Sequence, residues 1–287
     1  MERLVHRVVN LIGDDDQHIL NMGVDEARAR LLDERPDALL DVEGSFALAV
    51  RRGDAVLMAR SLDRPMRYFL AKEPQGPMLV IGDRIDGLRR TLDEHGYAHQ
   101  FHPSYTRMVP AHHVTVLRLI GCPDPTPEQR RFFAPPCATM STDLDAIGHA
   151  YVTALHGEVS QWLASHNEAE PIGVLFSGGV DSGAVLISVY HALLAAGQSP
   201  SRLKAFTLAV EGGGRDVEQG RAFLRHFDLE MLSEVVRVAA AELDPFEAVE
   251  VIEDYKPLDV ECATVGLALL RAIRSRYPDW RLLLDGD

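Results

Sequence analysis

The residues Ser177-Gly178-Gly179-Val180-Asp181-Ser182 place two hydroxyls, two glycines and a carboxylate within one short stretch. They follow the apolar run Ile172-Gly173-Val174-Leu175-Phe176 and precede the helix-like Gly183-Ala184-Val185-Leu186-Ile187-Ser188. That order predicts a buried strand, a glycine turn and a helix start. Such a loop aims several backbone N–H groups and a positive helix end at one point, where a phosphate or pyrophosphate would sit. The adjacent glycines let the backbone approach an anion without a Cβ in the way. Ser177 and Ser182 add hydroxyl donors. Asp181 cannot bind phosphate directly, so its natural task is to hold a magnesium ion (Mg2+) that bridges phosphate oxygens. The simpler alternative is a Gly-Gly turn with an Asp or Ser cap in an unrelated α/β domain. The chain contains no Gly-x-x-x-x-Gly-Lys-Ser/Thr, so this is not a Walker A loop.

These residues must be positioned by the elements around them. At 287 residues the chain is long enough for about two domains. Apolar residues make up 46%, ample for ordinary cores, and the net charge of −14 argues against a general nucleic-acid or anionic-membrane surface. No apolar run reaches membrane-span length, which is about 18 residues or more. The start, Met1-Glu2-Arg3-Leu4-Val5-His6, lacks the apolar core of a signal peptide. The cysteines, Cys122, Cys137 and Cys262, are odd in number and lack metal spacing, which fits a reducing cytoplasm without disulfides.

The first half reads as sheet-rich. Residues 45–51 and 55–60 flank Arg52-Gly53-Asp54, a hairpin signal. Further strands are predicted at 66–71, 78–82, 97–101 and 113–119, with helices at 24–34 and 84–94. Proline-rich segments at 121–127 and 134–136 mark a linker, which divides the chain into domains 1–135 and 136–287. The second half alternates helix and strand. Helices are predicted at 143–166, from the loop to Ala196, from Asp216, at 245–252 and at 260–276; strands at 172–176, 203–210, 231–238 and 281–284. This alternation predicts a parallel, doubly wound α/β sheet, with ligands at the carboxyl ends of the strands.

The six-residue loop in its strand–turn–helix setting resembles the SGGxDS pyrophosphate loop of the N-type ATP pyrophosphatases. Over residues 142–287 the chain looks like asparagine synthetase and its relatives, including β-lactam synthetase. Lys204-Ala205-Phe206-Thr207-Leu208 resembles the family's second strand, whose end meets adenine. Glu253-Asp254-Tyr255 and Cys262-Ala263-Thr264 are similar to its acidic/Tyr and Ala-Ser-Thr landmarks. Leu284-Asp285-Gly286-Asp287 looks like the start of its Leu-Ser-Gly-Glu-Gly segment. The resemblance implies an adenine nucleotide α-hydrolase-like fold, with ATP and Mg2+ as cofactors. It implies nucleotide contacts from Phe176, Ser177, Gly178, Gly179, Asp181, Ser182, Leu208, Asp285 and Gly286. It also implies a metal carboxylate at Asp181 and a catalytic acid, Asp287, beside the adenylate. Tyr255 and Glu261 are candidate substrate contacts. Where asparagine-forming members carry an Arg, this chain has Glu261, which suits a cationic or amine-bearing substrate; the alternative is a solvated helix face.

The first half resembles the later part of a class II glutamine amidotransferase domain, an α+β, Ntn-like fold, here degenerate. Asp41-Val42-Glu43-Gly44-Ser45-Phe46-Ala47-Leu48, Arg60-Ser61-Leu62-Asp63-Arg64-Pro65 with Tyr68, and Val109-Pro110-Ala111-His112 carry that resemblance in order. Such glutaminases need an N-terminal cysteine as nucleophile. Here residue 2 is Glu2 and no cysteine precedes Cys122. The expected activity is therefore an ATP-dependent amide-forming ligase. It would adenylate a small-molecule carboxylate, release pyrophosphate and AMP, and use ammonia or an amine rather than glutamine. The alternatives are a nucleobase or tRNA modifier of the N-type class, or a non-catalytic ATP-binding scaffold. The family's segment continues beyond the point where this chain stops, so a fragment, one half of a split enzyme, or a decayed pseudoenzyme are all expectations. A homodimer or a separate C-terminal half is the corresponding partner expectation, in the cytoplasm.

Other residues receive structural readings. Glu211-Gly212-Gly213-Gly214 reads as a post-strand loop, Asp216 as a helix N-cap, Asp14-Asp15-Asp16 as a solvated turn, and Trp162 and Trp280 as core or rim. His112 and His113 face opposite sides of a strand, which argues against a shared metal.

Overall fold

The computed structural model describes residues 3–5, 7–33, 35–72, 77–122, 125–211 and 214–286. It divides into two compact units, Met1–Cys137 and Ala138–Asp287.

The first unit contains β1 (Arg7–Asn10), α1 (Val24–Leu32), β2 (Ala47–Arg52), β3 (Ala55–Arg60), β4 (Arg67–Ala71), β5 (Met78–Gly82), α2 (Ile85–Glu94), β6 (Arg107–Met108), β7 (His113–Arg118) and β8 (Glu128–Arg131). One antiparallel sheet has the order β8-β7-β3-β2, and a second, mixed sheet has β1-β5-β4-β6. Strand periodicity explains the layering, because alternate side chains point to opposite faces. On β3, Val56 and Met58 join Tyr68, Leu79 and Ile81 of the other sheet. The intervening Leu57 and Ala59 pack instead with Ala27 and Leu31 of α1. On β5, Met78 and Val80 pack with Leu88 and Leu92 of α2. The layers therefore run helix, sheet, sheet, helix.

The predicted hairpin joins β2 and β3, with Arg52 opposite Ala55 and Gly53 at φ 59° in the turn. Two landmark segments of this unit are structural staples. A Cβ on Gly44 would lie 2.2 Å from the His18 carbonyl oxygen, and its φ is 101°, so only glycine fits. The Arg60 guanidinium donates to the carbonyls of Val109, Ser61, Leu62 and Arg64 and so gathers the loop after β3. Its burial pushes that group's pKa down, assisted by the charge of Arg67.

Two expectations need correction here. Residues 97–101 hold a 3-10 turn at Ala98–Gln100, not a strand. Gly96 at φ 79° turns the chain after α2, and Phe101 then packs against Phe69; the apolar–polar alternation comes from two anchoring rings, not from a ladder. Glu128–Arg131, placed in the linker, pairs with β7 as an edge strand. Its polar, exposed residues gave no apolar signal.

The second unit contains α3 (Leu144–Ala164), β9 (Ile172–Leu175), α4 (Val180–Ala195), β10 (Leu203–Val210), α5 (Arg215–His226), β11 (Ser233–Val238), α6 (Pro245–Ile252), α7 (Pro257–Arg276) and β12 (Leu282–Leu284). All pairs in its sheet are parallel, in the order β11-β10-β9-β12. The predicted parallel α/β sheet is therefore present. Ile172, Val174, Leu203 and Ala205 pack under α3 and α4 through Val159, Leu163, Leu186 and Val189. Phe206, Val236 and Leu283 pack on the other face with Ala268, Leu269 and Ile273 of α7. Gly173 makes room for this second layer, since a Cβ there would lie 2.6 Å from Leu283 and 2.7 Å from Phe206.

At the amino ends of the strands, Lys204 Nζ lies 3.5 Å from Glu234 and 5.6–5.7 Å from the ring centres of Trp280 and Tyr277. Glu234 accepts a hydrogen bond from the Tyr277 phenol and raises its pKa. Trp280 is thus a packing residue, as expected, and Trp162 packs against the core under α3. Helix α7 starts at Pro257, three residues before the expected 260, because proline suits the first helical turn. Among the described residues no helix is long and apolar enough to cross a membrane. Cys137 and Cys262 are free and exposed.

Candidate active site

The strand order places β9 between β10, reached through α4, and β12, reached from the opposite direction. In an open α/β sheet the crevice at such a reversal is the binding position, outside the carboxyl ends of the strands. The loop Ser177–Ser182 leaves β9 at this point, and Asp285 and Gly286 leave β12 beside it.

Close backbone contacts shape the loop, and glycines permit them. Gly178 has φ 80°, and a Cβ there would lie 2.5 Å from the Gly220 nitrogen on α5. A Cβ on Gly286 would lie 2.4 Å from the Ser182 nitrogen at the start of α4. A Cβ on Gly183 would lie 2.7 Å from the Phe223 ring. The loop is also tied by hydrogen bonds. Thr207 Oγ1 donates to the Phe176 carbonyl at 2.7 Å, and Gln219 Nε2 donates to the Gly178 carbonyl at 2.9 Å. Ser177 Oγ lies 3.3 Å from Ser182 Oγ and accepts from the Gly179 N–H at 3.3 Å. Helix α4 begins with Gly179 as N-cap and no side-chain cap, so its first N–H groups are not covered by a cap side chain.

This loop forms one wall of a cavity of about 410 Å³. Phe176, Ser177, Gly179, Asp181, Ser182, Leu208, Asp285 and Gly286 all line it, so most residues singled out in the sequence converge. Gly178 is buried behind the loop against α5. The opposite wall is one face of α7, where Cys262, Val265, Gly266 and Leu269 recur at helical spacing. Gly214 and Asp216 complete it from the start of α5. Two cavities of similar size, about 550 Å³ in the first unit and about 580 Å³ beside Trp280, hold none of the loop residues.

The structure does not bring Tyr255 or Glu261 to this cavity; both are exposed, and neither lines it. Asp287 lies outside the described residues, as do Glu2, Gly212 and Gly213. Asp216 is not the N-cap of α5. Gly214 holds that position, with extended backbone and no side-chain bond, which leaves the Asp216 carboxylate in the first turn and on the cavity wall. Sequence reasoning also passed over Gln219, Gly220 and, apart from the Cys262-Ala263-Thr264 landmark, the α7 face. Gly220 was a readable signal: glycine inside a helix costs about 1 kcal/mol relative to alanine, so its presence points to a close approach.

Chemically, the site joins an apolar cleft to a loop of backbone donors at a helix amino end. Three carboxylates, Asp181, Asp216 and Asp285, stand on its wall. Among the described residues no three His, Cys, Asp or Glu side chains gather closely enough to form a metal cluster. The fold and site define a doubly wound α/β domain with a glycine loop and a helix amino end at its switch point. Residues 164–287 match the family model described as asparagine synthase, so the resemblance of this segment to that family is shown. No curated protein matches the chain. Among solved structures, an NH3-dependent NAD synthetase from Campylobacter jejuni, in complex with the nitrate ion, aligns at 12% identity with a TM-score of 0.35. That alignment covers 48% of this chain and 56% of the other.

Proposed function

We propose that the second unit binds ATP with its phosphates on the Ser177–Ser182 loop and uses it to adenylate a carboxylate, which is then converted to an amide. The observation that carries this reading is the loop's place at the switch point of a parallel sheet, opening on a cleft of nucleotide scale. The apolar face of Leu208, Val265 and Leu269 suits a purine, while the loop end of the cleft suits phosphates. Asp181 fits Mg2+ as a hard oxygen donor on the cavity wall, with the ion's other oxygens to come from phosphates and water. When bound, the ion would neutralise charge on the phosphates.

The rest of the catalysis is positioning. The substrate carboxylate oxygen attacks the α phosphorus, the bond to the β-phosphate oxygen breaks, and pyrophosphate leaves against the N–H groups of the loop and the amino end of α4. The nitrogen donor then displaces AMP from the acyl adenylate. In this proposal the donor is ammonia or an amine, and glutamate release from glutamine is the result that would replace it. The resemblance of the first unit to a degenerate amidotransferase domain belongs to the same proposal, supported by its helix–sheet–sheet–helix layering.

The test is carboxylate-dependent exchange of labelled pyrophosphate into ATP across a panel of acids, with glutamate release from glutamine followed in parallel. Exchange with one class of acid and no glutamate release is the expected result. Exchange with none of the acids, despite ATP binding, would leave a binding role and refute the ligase reading.

A further inference from the structure

Gln219 lies on α5, outside the Ser-Gly-Gly-Val-Asp-Ser motif and outside the cavity lining. Its side chain nevertheless reaches the motif's central peptide: Nε2 is 2.9 Å from the Gly178 carbonyl oxygen. Only the amide NH2 can face a carbonyl oxygen, so the donor direction is unambiguous. The Gly178–Gly179 peptide is planar and trans, so its C=O and N–H point in opposite directions. Holding the carbonyl toward α5 therefore turns the Gly179 N–H away from α5, toward the loop interior. There it donates to Ser177 Oγ at 3.3 Å, a long bond that a phosphate oxygen can replace.

The same peptide is free to flip in principle, because a flip turns ψ of Gly178 and φ of Gly179, and both residues are glycines without a Cβ to oppose it. The end of the strand before the loop is held separately, because Thr207 Oγ1 donates to the Phe176 carbonyl. Gly220, next to Gln219, lets the α5 backbone come close enough for the contact. The loop is thus fixed by two neighbouring elements: β10 holds its entrance, and α5 holds its turn.

Building on the phosphate-loop reading above, we propose that Gln219 is a positioning residue that locks the Gly178–Gly179 peptide with its N–H presented to the nucleotide's phosphates. A flipped peptide would instead present a carbonyl oxygen, which repels an anion.

The test compares wild type with Gln219→Met, which keeps length without a donor, and Gln219→Glu, which sets an acceptor against the carbonyl. Magnesium pyrophosphate and ATP affinities are measured by calorimetry on the full chain, beside thermal midpoints. The amide resonance of Gly179 is followed by ¹⁵N NMR as pyrophosphate is added. The expected result is about fivefold weaker binding for Gln219→Met, the range that one net hydrogen bond provides, and a larger loss for Gln219→Glu. The pyrophosphate-induced shift of Gly179 should shrink in both variants while the midpoints stay near wild type. If wild type binds and Gln219→Met binds within twofold with an unchanged Gly179 shift, the role of Gln219 is refuted. If wild type binds neither ligand, the phosphate-loop reading fails, and this assignment fails with it.

Discussion

Gly178→Ala should destabilise the second unit well beyond an ordinary glycine replacement. Two effects act at this position. An L-residue at φ 80° pays the left-handed penalty, about 1–2 kcal/mol. The new Cβ would also lie 2.5 Å from the Gly220 nitrogen and 2.8 Å from its Cα. These are backbone atoms within a helix, so they cannot swing aside as a side chain would, and overpacking of this kind costs about 1–3 kcal/mol. Gly197 provides the matched control. It has φ 69° and nothing within 4 Å of its Cβ position, so alanine there meets the conformational penalty alone. The gain from a less flexible unfolded chain is common to both variants and cancels. The difference between them should be about 1–3 kcal/mol, or about 3–9 °C in the midpoint of a unit this size. Tryptophan fluorescence isolates the right unit, since Trp162 and Trp280 are the two tryptophans and both lie in the second unit. Equal midpoints for Gly178→Ala and Gly197→Ala would show that the loop and α5 do not meet as closely as described.

Asp181→Ala removes an exposed carboxylate in the first turn of α4, so stability should fall only by the dipole term, about 0.3–1 kcal/mol. Calorimetry should show loss of Mg2+-dependent ATP affinity; unchanged affinity would remove Asp181 from the metal role. Thr207→Val deletes the buried donor to the Phe176 carbonyl at nearly constant shape and should cost about 1–3 kcal/mol, read by the same fluorescence transition. A midpoint within 1 °C of wild type would mean that the entrance of the loop is not held there.

Several features of this protein follow from its amino-acid order alone. The hydrophobic runs at 172–175 and 203–210, each followed by helical spacing, dictate parallel strands with crossover helices, because those runs need cover on both faces. The Ser-Gly-Gly-Val-Asp-Ser loop is equally local: its hydroxyls, glycines and carboxylate are contiguous, and no folding step is needed to bring them together. Single-residue expectations failed where a local pattern had two solutions. Tyr97 and Phe101 alternate as a strand would, yet the left-handed Gly96 turns them into a 3-10 segment. Asp216 has the chemistry of a cap, yet the cap position falls two residues earlier, at Gly214, and the freed carboxylate lines the cleft.

What tertiary structure decided is which distant residues complete the site. Strand order is set by which apolar edges pair, and that pairing sets Asp285 and Gly286 against the start of α4, about a hundred residues away along the chain. The α7 face and the Gln219 hydrogen bond arise in the same way. Nothing local in the sequence joins Val265, Gly266 and Leu269 to the site or Gln219 to the loop; packing puts the first three on the cavity wall and the last against the Gly178 carbonyl. Close approach of backbones depends on three-dimensional contact between glycines far apart in sequence, such as Gly178 and Gly220, and a one-dimensional pattern carries no record of that distance.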